Sequence, residues 1–267
     1  MKILIIGGGN MGLTYATSFL RSHIVKPEEM MILEKSATKA AELSRQGIGT
    51  VHELPQDCLP EADLIILAVK PQDAPALFEH IRPMVDPQQV FLSIMAGIKI
   101  ETIAQMLNVQ KIIRAMPNLP AQIGMGMTVY SSSEEVTRIE LVMVQNLLNT
   151  TGKAIYVDRE SLLDAATAIS GSGPAYVFYC MQAFIEAAER MGFSAPEAEL
   201  LTLQTFKGAV DLFHKNDFTC NEWIKRVASR GGTTEAALEY FNNHQVAAHL
   251  EGGAQAALKR AEELSKG

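Results

Sequence analysis

The stretch ILIIGGGNMG, residues 3–12, decides the fold of the N-terminal half of the chain. Its first four residues are apolar, a short strand is predicted over Lys2–Ile6, and the glycines after it fit the pattern G-x-G-x-x-G. An amphipathic stretch over Met11–Arg21 comes next and predicts a helix. A strand, a glycine-rich turn and a helix in this order are typical of the first unit of a dinucleotide-binding domain.

The glycines and the helix start each have a physical role in such a unit. Gly7 permits a tight turn, Gly9 lets a pyrophosphate approach the backbone, and Gly12 lets helix and strand pack closely. The free N–H groups at the helix start, at Asn10 and Met11, favour an anion together with the positive end of the helix dipole. We therefore predict that these five residues bind the cofactor.

Strands and helices alternate along the rest of this half. Further strands are predicted at Met30–Leu33, Leu64–Val69, Val90–Ile94, Lys111–Ala115, Met127–Tyr130 and Ala154–Val157. Helical stretches at Thr38–Gln46 and Pro75–Ile81 separate the early ones. This alternation predicts an α/β fold, a Rossmann-like, doubly wound, mainly parallel sheet, which we assign to residues 1–158.

The strand pattern disappears after Asp158, and residues 159–267 are predicted to form an all-helical domain for substrate binding and dimerisation. A helix over Ser161–Ile169 is expected to break at the SGSG sequence of residues 170–173. Further helices are expected over Pro174–Met191, after capping boxes at Ser194–Glu197 and Thr219–Glu222, and over residues 244–264.

The helix over Pro174–Met191 carries few polar residues and has no polar stripe for solvent. A helical domain of roughly a hundred residues has little core in which to bury such a helix. Burial against a second subunit is one solution, and it predicts a homodimer. A central place within its own domain is the alternative.

Composition and charge narrow the class of protein. Hydrophobic residues make up 48% and charged residues 20% of the chain, as in a globular protein, and the formal net charge of −7 argues against nucleic acid or an anionic membrane as partner. The three cysteines and six histidines form no metal-binding spacing, so no metal is expected. The start of the chain lacks the pattern of a secretory signal, and the apolar runs are only strand-sized, which favours the cytoplasm.

The end of the second predicted strand bears Glu34 and Lys35, where a ribose-reading residue belongs. A carboxylate at Glu34 can accept hydrogen bonds from both ribose hydroxyls and repels a ribose phosphate, which favours NADH. Lys35 can attract that phosphate, so NADPH stays open. The alternative is that Glu34 is a solvated carboxylate at a strand end.

A second glycine-rich segment lies in the helical half, at residues 227–238. Gly231 and Gly232 are followed by Thr233 and Thr234 at a helix start, which offers free N–H groups and two hydroxyls for a small carboxylate. An ordinary threonine N-cap is the alternative. No signature of a catalytic nucleophile is present, and this absence suits hydride transfer from a cofactor.

Five segments together resemble the pyrroline-5-carboxylate reductase family. They are IIGGGNMG at 5–12, LAVKP at 67–71, IIRAMPNLP at 112–120, SGSGPAY at 170–176 and VASRGGTTEAAL at 227–238. The resemblance covers essentially the whole chain. It implies reduction of 1-pyrroline-5-carboxylate to L-proline with NADPH or NADH, by homodimers that sometimes assemble into decamers.

The resemblance also implies roles for particular residues. Thr234 would lie beside the ring nitrogen of the substrate as the catalytic residue. The cofactor would be lined by Ala68, Val69, Lys70, Pro71, Met116, Pro117 and Asn118, and the substrate by Glu160, Ser229, Gly232, Thr233 and Thr234.

Two positions depart from the family pattern. Arg230 stands where the family usually has a proline, and Glu34 stands where serine or asparagine is common. The rival functions are another imine or β-hydroxyacid reductase of the same architecture, and a non-catalytic NAD(P)-binding sensor. A β-hydroxyacid reductase would need a catalytic lysine, which Ser161–Ile169 lacks. The GGTT and MPN sequences argue against a sensor.

Overall fold

The computed structural model describes residues 1–265 and divides them into two compact units. The first contains residues 1–172 and returns to include residues 257–265, and the second contains residues 173–256. Lys266 and Gly267, the last two residues of the predicted helical domain, lie outside the described part.

An eight-stranded sheet forms the centre of the first unit, in the order β3-β2-β1-β4-β5-β6-β7-β8. Its strands are β1 (Ile3–Ile6), β2 (Met30–Leu33), β3 (Thr50–His52), β4 (Leu64–Leu67), β5 (Val90–Ser93), β6 (Ile112–Met116), β7 (Gly126–Ser132) and β8 (Gly152–Tyr156). The first six strands run parallel, β7 is antiparallel to β6, and β8 is parallel to β7.

Helices connect these strands. In this unit they are α1 (Asn10–Arg21), α2 (Ala37–Arg45), α3 (Ala74–Ile81), α4 (Ile100–Leu107), α5 (Arg138–Asn149) and α6 (Leu162–Ala166). The sheet is buried on both faces, because alternate residues of β1 enter two different apolar clusters: Ile3 and Ile5 one, Leu4 and Ile6 the other. Burial on both faces explains why the central strands are continuously apolar.

The predicted fold class is confirmed. The seven predicted strands are present, with ends that differ by a few residues at most, and the sheet is doubly wound and mainly parallel. Only β3 was not predicted. It lies at the edge of the sheet, and its sequence Thr-Val-His contains a single apolar residue, so it shows no strand pattern.

The predicted break within residues 170–173 is confirmed at Ser172, but the helical segment before it ends at Gly171 and not at Ile169. After α6 the chain continues as a π-helical turn over Thr167–Gly171, closed by a hydrogen bond of 2.8 Å from the N–H of Ser172 to the carbonyl of Thr167. α6 lies against β6 and β7. The compact units therefore divide after Ser172, whereas the boundary predicted between residues 158 and 159 follows the end of the sheet.

The second unit is helical throughout its described residues. It contains α7 (Gly173–Arg190), α8 (Ala195–His214), α9 (Cys220–Val227), α10 (Thr233–Asn243) and the first part of α11 (Val246–Leu264). Both predicted capping boxes are confirmed, at Ser194 with Glu197 and at Thr219 with Glu222. α7 and α8 pack on each other, with ring centroids of Phe184 and Phe206 5.9 Å apart.

Candidate active site

The carboxyl ends of β1, β2, β4 and β6 lie at one edge of the sheet, because these strands are parallel. The chain moves outward from β1 to β2 in one direction and from β4 to β6 in the other. The strand order thus reverses between β1 and β4, and ligands of such sheets bind outside the strand ends at that point. The glycine-rich turn follows β1, and the segment Ala68–Pro71 follows β4.

Gly7 and Gly12 are required by the close approach of backbone segments. Gly7 has φ +106°, and a Cβ there would lie 2.8 Å from the carbonyl oxygen of Ala68. A Cβ on Gly12 would collide with the carbonyl oxygen of Gly7. The turn and the packing of α1 on the sheet therefore both depend on missing side chains.

The start of α1 fits an anionic group. Its N-cap, Gly9, has no side chain, and a Cβ built there would meet nothing within 4 Å. Within the described chain no side chain caps this helix, and its first turn contains no acidic residue. The N–H groups of Asn10 and Met11, at the positive end of the helix dipole, have no hydrogen-bond partner among the described residues, which fits a pyrophosphate.

Glu34 is only 8% exposed, so it is not the solvated carboxylate of the alternative interpretation. It accepts hydrogen bonds from the N–H of Gly8 at 3.2 Å and the N–H of Ser36 at 3.0 Å, and Lys39 Nζ lies 3.4 Å away. Lys35 is different, since its side chain is 86% exposed and 3.9 Å from Asp73. Of the two charged neighbours, Glu34 is the one held in a fixed position.

The MPN segment at the end of β6 is fixed by its asparagine. Asn118 accepts a hydrogen bond from the N–H of Met127 at 2.8 Å and donates one to the carbonyl of Ser170 at 3.0 Å. Gly171 packs so closely on Met116 that a Cβ there would lie 2.9 Å from its terminal methyl carbon. Much of the side chain of Asn118 is thus used to join the MPN segment to the π-helical turn.

Arg114 lies at the centre of a buried charge network that was not predicted from the sequence. It is 2% exposed, and its guanidinium lies 2.9 Å from Glu160 and 3.3 Å from Asp164. Glu160 also accepts the N–H of Ile100 at 2.9 Å, and Asp164 accepts the hydroxyl of Ser265 at 2.7 Å. A cation within the apolar strand IIRAM must be paired when it is buried. The arginine in this strand was therefore the sequence feature that could have predicted the network.

The structure alters the prediction for the GGTT segment. The N-cap of α10 is Gly232, so the alternative of a threonine N-cap is wrong. The N–H of Gly232 donates to the carbonyl of Ser229 at 3.0 Å, and the N–H of Gly231 donates to the carboxylate of Glu235 at 2.5 Å. Of the predicted backbone donors, Thr233 and Thr234 therefore remain available at the helix start.

Family models match most of the chain in two parts. Residues 2–97 match a model described as NADP oxidoreductase, coenzyme F420-dependent, and residues 160–264 match one described as pyrroline-5-carboxylate reductase dimerisation. A pyrroline-5-carboxylate reductase from Pseudomonas aeruginosa is 34% identical over 99% of this chain and 97% of its own length. This chain belongs to the pyrroline-5-carboxylate reductase family.

Other members of the family extend this result. Pyrroline-5-carboxylate reductase 2 of Bacillus subtilis is 37% identical over 89% of this chain and 85% of its own. The solved structure of the Coxiella burnetii reductase has a TM-score of 0.91 at 29% identity and covers 100% of this chain and 99% of its own. The Plasmodium falciparum reductase, solved with NADP bound, has a TM-score of 0.89 at 26% identity and covers 99% of this chain and 98% of its own.

Membership of the pyrroline-5-carboxylate reductase family also explains α7, which lies in the dimerisation region. No residue of α7 is buried within the described chain, so the alternative of a central helix in its own domain is wrong. Phe178 is 59% and Phe184 52% exposed, although both are large and apolar. A surface of this kind is typical of a subunit interface. None of the helices within residues 1–265 combines the length and hydropathy that a membrane span requires.

Proposed function

We propose that this chain reduces 1-pyrroline-5-carboxylate to L-proline with a reduced nicotinamide dinucleotide. The observation that carries the proposal is the full-length match to reductases of this name. The fold supports it, because the uncapped start of α1 lies where the strand order reverses, beside the ends of β1 and β4. Reduction of this imine is the last step in the synthesis of proline.

The reaction needs few chemical groups from the protein. A bound reduced nicotinamide supplies a hydride. The ring C=N bond of the substrate is electrophilic once its nitrogen is protonated; the carbon then accepts the hydride, and the nitrogen keeps the proton as a secondary amine. No strong base, metal or covalent intermediate is needed for this step. The protein must orient the imine and exclude water.

The buried cysteine, Cys58, does not add a nucleophile. Burial raises the pKa of the Cys58 thiol to about 11, so it stays protonated at neutral pH. A thiol of this kind is inert, because the thiolate is the reactive form. Cys180 and Cys220 are also free, which suits a reducing compartment and supports our proposal of a cytoplasmic enzyme.

The substrate is proposed to bind at the start of α10. Its carboxylate would accept hydrogen bonds from the N–H groups of Thr233 and Thr234, with Ser229 and Gly232 shaping the turn. Thr234 would place its hydroxyl on the ring nitrogen, as the catalytic residue. Glu160 stays a proposed substrate contact through Oε2, because only Oε1 is engaged by Ile100 and Arg114 among the described residues.

Glu34 supports a preference for NADH. It is buried at the ribose end and is held by Gly8 and Ser36, so it cannot easily turn away from a ribose phosphate. The Glu34 carboxylate can accept hydrogen bonds from the ribose hydroxyls of NADH, and it repels the ribose phosphate of NADPH. Lys39, 3.4 Å away, reduces that repulsion without removing the carboxylate.

The active enzyme is proposed to be a homodimer joined through α7. The exposed aromatic residues of this helix support the proposal, because a second copy would remove them from water. Assembly of dimers into a decamer stays an expectation from the family resemblance.

A direct assay tests the function. Purified protein is mixed with 1-pyrroline-5-carboxylate and with NADH or NADPH, and oxidation of the cofactor is followed by absorbance, with proline measured as product. We expect proline in proportion to cofactor oxidised. Binding of either dinucleotide without turnover would instead identify a sensor, and turnover only with other cyclic imines or with β-keto acids would identify a related reductase.

A further inference from the structure

The turn before α10 is closed by hydrogen bonds within the chain. Gly231 has φ +71°, a conformation that favours glycine, and its N–H donates to the carboxylate of Glu235 at 2.5 Å. The next N–H, of Gly232, donates to the carbonyl of Ser229 at 3.0 Å. Within the described residues the N–H of Arg230 makes no hydrogen bond. Glu235 is thus the side chain that fastens this turn to the helix.

Glu235 reaches further than the carboxylate of an ordinary capping box. That motif joins the third residue of a helix to the N–H of the N-cap. Here the N-cap N–H is already used by Ser229, and Glu235, the third residue of α10, takes the N–H one position earlier. The N–H groups of Gly231 and Gly232 are therefore used within the turn, and those of Thr233 and Thr234 remain available at the helix start.

We propose that Glu235 is a positioning residue, which holds the turn at Gly231 so that Thr233 and Thr234 present their N–H groups to the substrate carboxylate. The inference rests on the proposed function. It assigns Glu235 no contact with the reacting atoms. Its effect is to keep the binding turn in one conformation before the substrate arrives, which reduces the entropy lost on binding.

This role has a kinetic signature. The carboxylate of the substrate does not change during reduction, so its contacts are equally strong in the bound substrate and in the transition state. Loss of such uniform binding raises KM and leaves kcat unchanged. A residue that only stabilised α10 would lower the melting temperature without this change in KM.

Two substitutions separate the hydrogen bond from the charge. Glu235→Gln keeps an acceptor oxygen and removes the charge, whereas Glu235→Ala removes both. We expect the KM for 1-pyrroline-5-carboxylate to be about five- to tenfold higher in the alanine variant than in the glutamine variant, at equal kcat. Glu239→Ala, an exposed glutamate one turn along the same helix, is the matched control and should keep the wild-type KM.

A third variant tests whether rigidity of the turn is the cause. Arg230→Pro fixes φ at the residue before Gly231 and deletes an N–H that makes no hydrogen bond among the described residues; because it also removes the guanidinium, Arg230→Ala in the same Glu235→Ala background is its control. Added to Glu235→Ala, Arg230→Pro should lower KM towards the value of Glu235→Gln. If it does not fold, the comparison of alanine with glutamine still decides the role of the hydrogen bond.

These experiments distinguish a failure of the positioning role of Glu235 from a failure of the proposed function. A wild-type enzyme that does not reduce 1-pyrroline-5-carboxylate removes the proposed function. An active wild type with the same KM in Glu235→Ala and Glu235→Gln overturns the positioning role, whatever happens to the melting temperature. A raised KM in Glu235→Ala that a folded double variant fails to lower overturns it as well.

Discussion

The carboxylate of Glu34 accepts the backbone N–H of Gly8, with 3.2 Å between oxygen and nitrogen. This bond attaches the end of β2 to the middle of the glycine-rich turn, so the residue proposed to read the ribose is held by the segment proposed to bind the pyrophosphate. The two proposed parts of the cofactor site are therefore joined by a hydrogen bond within the chain. The geometry makes cofactor choice testable at a single side chain.

Glu34→Gln should narrow the preference for NADH over NADPH. The glutamine oxygen can still accept the N–H of Gly8, but the charge that repels a ribose phosphate is gone. We expect this repulsion to be on the order of 1 kcal/mol, or about tenfold in kcat/KM, because Lys39 lies 3.4 Å from the carboxylate and offsets part of it. Steady-state kinetics with both cofactors measure the ratio, and Glu42→Gln, on the exposed face of α2, is the control. A wild type that already prefers NADPH contradicts the role of Glu34.

Thr234→Val should lower kcat/KM for imine reduction by about ten- to a hundredfold, because it deletes one hydrogen bond to a charged nitrogen, roughly 1.5–3 kcal/mol. Valine keeps the shape, so the fold and the affinity for NADH should be unchanged. Thr233→Val should have a smaller effect. Since Gly232 is the N-cap, we expect that variant to lose no more than about 0.5 kcal/mol of stability. The reverse ranking would assign the catalytic role to Thr233.

Phe178→Asp should prevent association of the native subunits, because it places an unpaired charge in the proposed interface. Sedimentation measures the mass. Phe184→Asp should act similarly, but it also removes the packing on Phe206, so Phe178 gives the cleaner result. Ile139→Asp, at another exposed apolar position, on α5, should leave the dimer intact. A wild-type enzyme that sediments as a stable monomer is incompatible with the proposal.

Arg114→Met should destabilise the first unit by about 3–5 kcal/mol, since it leaves the carboxylates of Glu160 and Asp164 without their cation. The control is Lys111→Met, just before β6, which breaks a pair with Glu140 whose cation is more exposed than Arg114 and should cost about 1 kcal/mol. Urea unfolding compares the two. Equal urea midpoints for the two variants would mean that Glu160 and Asp164 find other partners in Arg114→Met.

Ser265→Ala probes the same network from the end of the chain. Its hydroxyl donates to Asp164 at 2.7 Å, across more than a hundred positions of sequence. Loss of one hydroxyl donor to a buried carboxylate should cost about 1.5–3 kcal/mol in urea unfolding. An effect as large as that of Arg114→Met would show that the serine, and not the arginine, holds Asp164 in place.

Local patterns were enough to predict much of this molecule. The turn at Gly7, the helix start at Asn10 and the two capping boxes are decided by residues within a few positions of each other, and the structure has them where the sequence placed them. The strands of the sheet centre were predicted because burial on both faces makes them apolar throughout.

Contacts between distant positions could not be predicted in this way. The pairing of Arg114 with Glu160 and Asp164 joins residues 46 and 50 positions apart, and no periodicity connects them. The sequence also could not predict which backbone group a given side chain binds. The sequence showed glycines and threonines around the start of α10, but only the structure shows that Glu235 takes the N–H of Gly231 and that Gly232, not a threonine, is the N-cap.

A helix that buries none of its residues in its own chain makes stability depend on mass action. In the homodimer that we propose, a second molecule removes α7 from water, so the free energy of unfolding includes a term in protein concentration. The melting temperature should therefore rise as the protein is concentrated and fall on dilution. For this enzyme a stability value is meaningful only together with the concentration at which it was measured.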